Sequence, residues 1–221
     1  MHNEKMADSR DMIGAHDAIR RQFADLPGLI SGVAGGDERG TAVVAAHVLL
    51  MAEFLHAHHA SEDAHVWPKL LDRCPTEVRP VVATMESQHG LVDRELQALT
   101  AAARRWSASA DAGDRDALAG VADRLLAPLR EHLALEEKEV LPLIDRYLTD
   151  REWKATVAAS LGKVPLGRRP MMLGLALDGA DEEQIGLFRA AVPAVAWYIL
   201  GPIGRRAYRV YRGRLVATGR R

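Results

Sequence analysis

Three things are scarce in this chain, and each scarcity closes a class of function. There is one cysteine, Cys74, in 221 residues, so no intramolecular disulfide can form and no thiolate cluster can hold a metal. Excess charge of one sign is missing as well, because 29 basic residues face 30 acidic ones for a net charge of −1. That balance gives no global electrostatic drive toward nucleic acid, a membrane surface or acidic substrates. Long apolar runs are the third absence. The longest, "AAVPAVAWYILGPIG" at 190–204, is interrupted by Pro193 and Pro202 and falls short of the roughly 20 residues a bilayer span needs. Nothing at the N-terminus has the basic, apolar, small-residue order of a leader. A soluble protein with no transmembrane span, in a reducing cytoplasm, is the expectation.

What is present is helical periodicity. With 48 % hydrophobic and 27 % charged residues the chain can bury a real core, and its apolar positions recur at helix rather than strand spacing. The first stripe runs Met12, His16, Ile19, Phe23, opened by Asp8 or Ser9 as N-cap, and fades into the turn-rich "LPGLISGVAGGDERG". The second runs Val44, His47, Met51, Phe54 or Leu55, His58, Glu62, His65, from near Thr41 to "RCPTE", where Pro75 discourages continuation. The third runs Val82, Met85, His89, Val92, Leu96, Leu99 and closes before the loop "SASADAGD". The fourth runs Leu118, Val121, Leu125, Leu129, His132, Glu136, Val140, Leu143. Each stripe carries a histidine among its inward positions.

The stripes repeat. Sliding the sequence by 73 residues brings His16 onto His89 and Met12 onto Met85; with one more residue of shift His58 meets His132, Glu62 meets Glu136, Val66 meets Val140 and Pro68 meets Pro142. Each half therefore reads as an αα-hairpin that cannot bury its apolar face alone, and two of them pack into a four-helix bundle. Residues four apart share a helix face about 6 Å apart, so His58 with Glu62, and His132 with Glu136, each offer a nitrogen and a carboxylate to one point. Imidazole and carboxylate without thiolate suit iron or manganese, and would accept zinc or copper. Glu62 and Glu136 can bridge two ions while His16, His58, His89 and His132 terminate them. Room then remains for a bridging oxo or hydroxo group and one exogenous molecule. Met12, Phe54, Met85 and Leu125 are the expected dry wall.

This ordered set of His16, His58-x-x-x-Glu62, His89 and His132-x-x-x-Glu136 resembles the hemerythrin-like, or HHE cation-binding, domain over about residues 8 to 150. "HHASEDAHVWPKL" and "HLALEEKEVLP" are similar to its two signature segments. The resemblance implies an all-α, up-down-up-down bundle around two iron ions with a bridging oxo or hydroxo group. It also implies dioxygen, hydrogen peroxide or nitric oxide as small-molecule partners. Members serve as oxygen carriers, sensors, iron-responsive modules or peroxide-consuming enzymes, and some actinobacterial relatives resemble catalases in activity. Oxygen carriers place a second histidine one turn after the third-helix ligand, where this chain has Asp93. That departure favours catalase-like disproportionation of hydrogen peroxide over storage; binding or sensing of dioxygen or nitric oxide without turnover is the alternative.

Other residues read more plainly. His65 could supply a fifth imidazole or a rim group, and Asp93 could be a ligand, a partner of His89 or exposed charge. His47 lies about 16 Å along the axis from His58 at 1.5 Å per residue and reads as a satisfied core or rim histidine. His56 and His59 are expected in solvent, His2 in a disordered end, and Asp63 and Glu137 as solvent-side charge, with support of the neighbouring ligands as their alternative. Met12, Met51 and Met85 read as core filler and Cys74 as inert. Residues 151–221 read as a helical, basic C-terminal extension with Asp181 as an N-cap. The last 32 residues hold seven arginines and no acid, so they could touch anionic lipid or nucleic acid. Docking on the bundle through Trp197, Tyr198, Tyr208 and Tyr211 is the favoured reading, with no nucleic-acid partner. The extension could cover the entrance to the metal site or form a homodimer contact.

Overall fold

The computed structural model describes residues 4–162, 164–191 and 194–218, and His2, Arg220 and Arg221 lie outside that range. Four long rods make the bundle: α1 (Arg10–Ser31), α2 (Glu38–His65), α4 (Pro75–Ser109) and α5 (Ala112–Glu139), with the short helices α3 (Trp67–Arg73) and α6 (Leu141–Tyr147) following α2 and α5. No strand occurs among the described residues; a single bridge joins Met6 to Thr149. Helix α5 packs between α1 and α4, α4 packs between α5 and α2, and the seam between α1 and α2 is the least extensive of the four.

Local chemistry sets the helix ends. The Asp37 carboxylate accepts from the Gly40 N–H at 2.9 Å and starts α2, and a Cβ on Gly40 would lie 2.5 Å from that carboxylate. Asp111 accepts from the Gly113 N–H at 2.7 Å and starts α5. Helix α4 ends on Ala110, left-handed at φ 52°, so the loop expected across "SASADAGD" shrinks to Ala110 and Asp111. Helix α1 does not fade at "LPG"; it continues through Pro27 to Ser31, because Leu26 and Ile30 are fully buried and packing outweighs the proline.

Both claw helices break at the same place. The second stripe was expected to run unbroken to "RCPTE", but the helix is interrupted at Val66 (φ −99°, ψ −59°), and its counterpart at Val140 (φ −97°, ψ −44°). Pro68 and Pro142 open the helices that follow. Each lacks the N–H that would continue the ladder and is comfortable in a first turn. The interruption divides the interior. One apolar cluster, with Phe23, Leu55, Val92, Leu99, Leu125 and Leu129, fills the body of the bundle. A second, with Val66, Trp67, Leu70, Met85, Val140 and Ile144, caps one end. In every rod the residues between these clusters are the histidines and glutamates of the repeat.

Beyond the bundle lie α7 (Asp150–Gly162), a 3-10 turn at Leu166–Arg168, α8 (Arg169–Leu177), α9 (Glu182–Ala191) and α10 (Ala194–Thr218). The Asp181 carboxylate accepts from the Gln184 N–H at 2.8 Å, the expected cap of α9. Helices α8 and α10 cross so closely that a Cβ on Gly174 would lie 2.1 Å from the Gly204 carbonyl oxygen. The extension docks through Tyr208, whose hydroxyl accepts from Gln22 at 2.8 Å, and Tyr211, whose hydroxyl meets His47 Nδ1 at 2.9 Å. Tyr198 departs from the docking expectation: it is 67 % exposed and lies under Arg189. Among the described residues one helical stretch, Glu38–Arg73, is long and apolar enough to cross a membrane, and half of its most apolar window is buried inside the molecule.

Candidate metal centre

Between the two apolar clusters, one rod after another contributes polar side chains that solvent does not reach. His16, Glu62, His132 and Glu136 are at most 1 % exposed, His89 4 % and His58 8 %. The structure brings all six together, in two adjoining groups. His16, His58, Glu62 and Glu136 have ligand atoms within 4.8 Å of one another, and so do His89, His132 and a further residue, His59. The carboxylates lie between the groups. Glu62 turns one oxygen to His58 Nε2 at 3.1 Å and the other to His89 Nε2 at 3.5 Å; Glu136 Oε2 lies 3.4 Å from His16 Nε2 and 3.7 Å from His132 Nε2.

His59 corrects the expectation of a solvated side chain. It is buried, stacks on His89 at 4.2 Å between ring centroids and meets His132 edge-on at 4.8 Å. It stands 100° round the helix from His58 but only 60° from Glu62, so it shares a face with the carboxylate rather than with the histidine. The repeat held the signal that would have found it, since the matching position in the second half is Leu133, fully buried. Asp93 and His65 supply no imidazole or carboxylate to either group: Asp93 pairs with His56 at 3.2 Å on the surface, and His65 is only partly buried.

Asp63 and Glu137 take the alternative of their two readings. Rather than facing solvent as bystanders, they hold the outer nitrogens of two site histidines: Glu137 accepts from His16 Nδ1 at 2.9 Å and Asp63 from His89 Nδ1 at 2.8 Å. The two acids follow Glu136 and Glu62 directly, so the support repeats with the same pseudo-two-fold as the site. Arg20 donates to Glu137 at 2.8 Å, and the Trp67 indole donates to Asp63 at 2.8 Å. His132 Nδ1 has Gln88 Oε1 at 3.3 Å. With Nδ1–H committed outward, His16, His89 and His132 each present an Nε2 lone pair inward, the tautomer a ligand needs.

No hydrogen bond among the described residues reaches those inward atoms. The Nε2 atoms of His16, His58, His89 and His132, both nitrogens of His59 and all four oxygens of Glu62 and Glu136 are buried without a hydrogen bond. At about 1–3 kcal/mol each, leaving them unsatisfied would be comparable to a domain's whole stability of about 5–15 kcal/mol. Cations between the groups remove that penalty, and this is the fit of the donor set to metal. The titration behaviour agrees for the imidazoles, while the two carboxyls would have to give up their protons as a cation enters. Burial, helped by the charge of Glu136, pushes Glu62 well above the usual carboxylate range, and burial raises Glu136 too. Burial holds His58 and His59 well below the ordinary imidazole value and, with His89 and His16 nearby, brings His132 down to about 3. A neutral imidazole is the ligating form. Burial would raise Glu137, but hydrogen bonds from His16 and Arg20 outweigh it and keep its pKa below the usual range.

The remaining candidates lie elsewhere. His47 is buried against Tyr211, and burial lowers its pKa to about 4. Met51 and Met85 are core residues and Met12 packs on the end cluster. Buried Cys74 donates its S–H to the Leu70 carbonyl at 3.2 Å. A family model described as the hemerythrin HHE cation-binding domain matches residues 8–144, more than half of the chain. No curated protein and no solved structure gives a significant match.

Proposed function

The chain belongs to the hemerythrin HHE cation-binding domain family, and on that premise we propose that it holds two iron ions between its two donor groups and disproportionates hydrogen peroxide there. The two-ion part of this reading rests on the two groups of imidazoles, His16 and His58 on one side and His59, His89 and His132 on the other, with Glu62 and Glu136 reaching both; turnover is favoured over storage by Asp93, which stands where a carrier has its further histidine and pairs with His56 on the surface. The side with fewer imidazoles has room for an exogenous ligand. A bound pair of iron ions would supply the electron exchange by which two peroxide molecules become two water molecules and dioxygen. The chain supplies the rest. Glu62 and Glu136 hold the two groups at one separation, and Glu137 and Asp63 fix the His16 and His89 tautomers. The two apolar clusters keep bulk water and larger reductants out.

His59 also favours a second reading. It brings the imidazoles to five, divided three and two, which suits reversible capture of dioxygen or nitric oxide at the two-histidine side. Oxygen-electrode measurements on iron-loaded protein separate the two. Sustained dioxygen release from peroxide, with two irons per chain by elemental analysis, supports turnover. A stable oxygenated spectrum without release would replace it with capture, and a chain that takes up no iron would end both.

A further inference from the structure

A cleft of about 540 Å³ lies outside the bundle, where α8, the turn that follows it and α10 meet. That is the size of small-molecule pockets, which run from about 300 to 1,000 Å³. Arg205, Arg209 and Arg212 line it from α10, and Leu177, Ile185 and Val216 give it an apolar part. Arg212 is balanced by Asp178 at 2.6 Å. Among the described residues neither Arg205 nor Arg209 has a carboxylate within ion-pair distance. Behind the turn lies a third cation that has no ion-pair partner among the described residues. The Arg21 guanidinium packs beneath Gly179, where a Cβ would lie 3.3 Å from Arg21 Nε, and its Nη2 is buried without a hydrogen-bond partner. Gly179 has φ +75°, so a side chain there would meet both backbone strain and the guanidinium.

We propose that this cleft is a binding site for an organic anion, a phosphate or carboxylate head on a short apolar chain, with Arg205 and Arg209 taking the head. Unpaired guanidiniums at the mouth of a partly apolar cleft have the donor geometry for such oxyanions. Leu177, Ile185 and Val216 favour an apolar body over bare inorganic phosphate. The site is separate from the metal centre, and its ligand need not be the molecule that acts there.

Isothermal titration of the full-length, iron-loaded protein tests this, with octyl phosphate below its critical micelle concentration, octanoate and inorganic phosphate as probes. Saturable one-to-one binding of an octyl probe is expected, at least tenfold tighter than inorganic phosphate. The double substitution Arg205→Ala with Arg209→Ala should weaken it at least tenfold, while Arg206→Ala, exposed but outside the cleft, should not, and iron content should be unchanged in both. No saturable binding of either octyl probe, equal affinity for inorganic phosphate, or indifference to the double substitution would overturn the proposal. Phosphatidylglycerol vesicles separate the remaining source: binding to vesicles without binding of the dissolved octyl probes would assign the arginines to a membrane surface and also overturn the pocket.

Discussion

At the scale of the residue, the site depends on His59 and on two acids that touch no inward-facing atom. His59→Leu, which copies Leu133 of the other half, should preserve the helical fold and reduce bound iron from two per chain toward one, read by elemental analysis beside circular dichroism. Asp63→Asn and Glu137→Gln should each weaken metal binding by about 10 to 100-fold with little change in helicity, measured by competition with a chelator. That six side chains converge in one buried layer was legible from sequence because a four-residue spacing fixes a shared face and the repeat supplies a second copy. His59 was not, because it stands about 100° off the His58 stripe and joins the layer through the face it shares with Glu62. Asp63 keeps its side chain half in solvent and Glu137 is 23 % exposed, so only the contacts to His89 and His16 separate a supporting role from a solvent-side one.

Between residue and molecule, the elements were legible where capping and periodicity agree. The four rods, the α9 cap and both prolines could be read from the chain; the breaks at Val66 and Val140 could not, because the stripe of buried positions runs on through them. The close approach of α8 and α10 was also invisible, since it rests on two glycines far apart in sequence. Gly174→Ala should force these backbones apart at a cost of about 1–3 kcal/mol, seen as faster proteolysis of the extension than of the bundle. The His47–Tyr211 contact adds a pH term to the same docking. His47 titrates near 4 in the folded chain against about 6.5 when unfolded. Its neutral form is therefore the one that folding favours. The contribution is whole above about pH 6.5 and is lost as pH falls toward 4, because the unfolded chain binds the proton first. His47→Gln should flatten that part of the stability profile relative to the parent, measured by thermal melts between pH 7 and 4 on proteins sharing the same metal content.

For the whole molecule, the polar layer between two apolar clusters ties stability to metal. Removing the ions exposes every unsatisfied inward atom at once, so the stripped protein should melt well below the loaded one. Free metal at a thousandfold excess over its Kd is worth about 4 kcal/mol, or roughly 10 °C in a chain of this length. Equal melting temperatures with and without chelator would contradict the layer's role. The breaks at Val66 and Val140 also shape the field inside the layer. Glu62 and Glu136 sit in the last turns of α2 and α5, where the carbonyl ends of a helix carry negative potential. Two such termini converge on one spot beside two acids, so the backbone itself deepens the negative potential that would draw a cation into the layer.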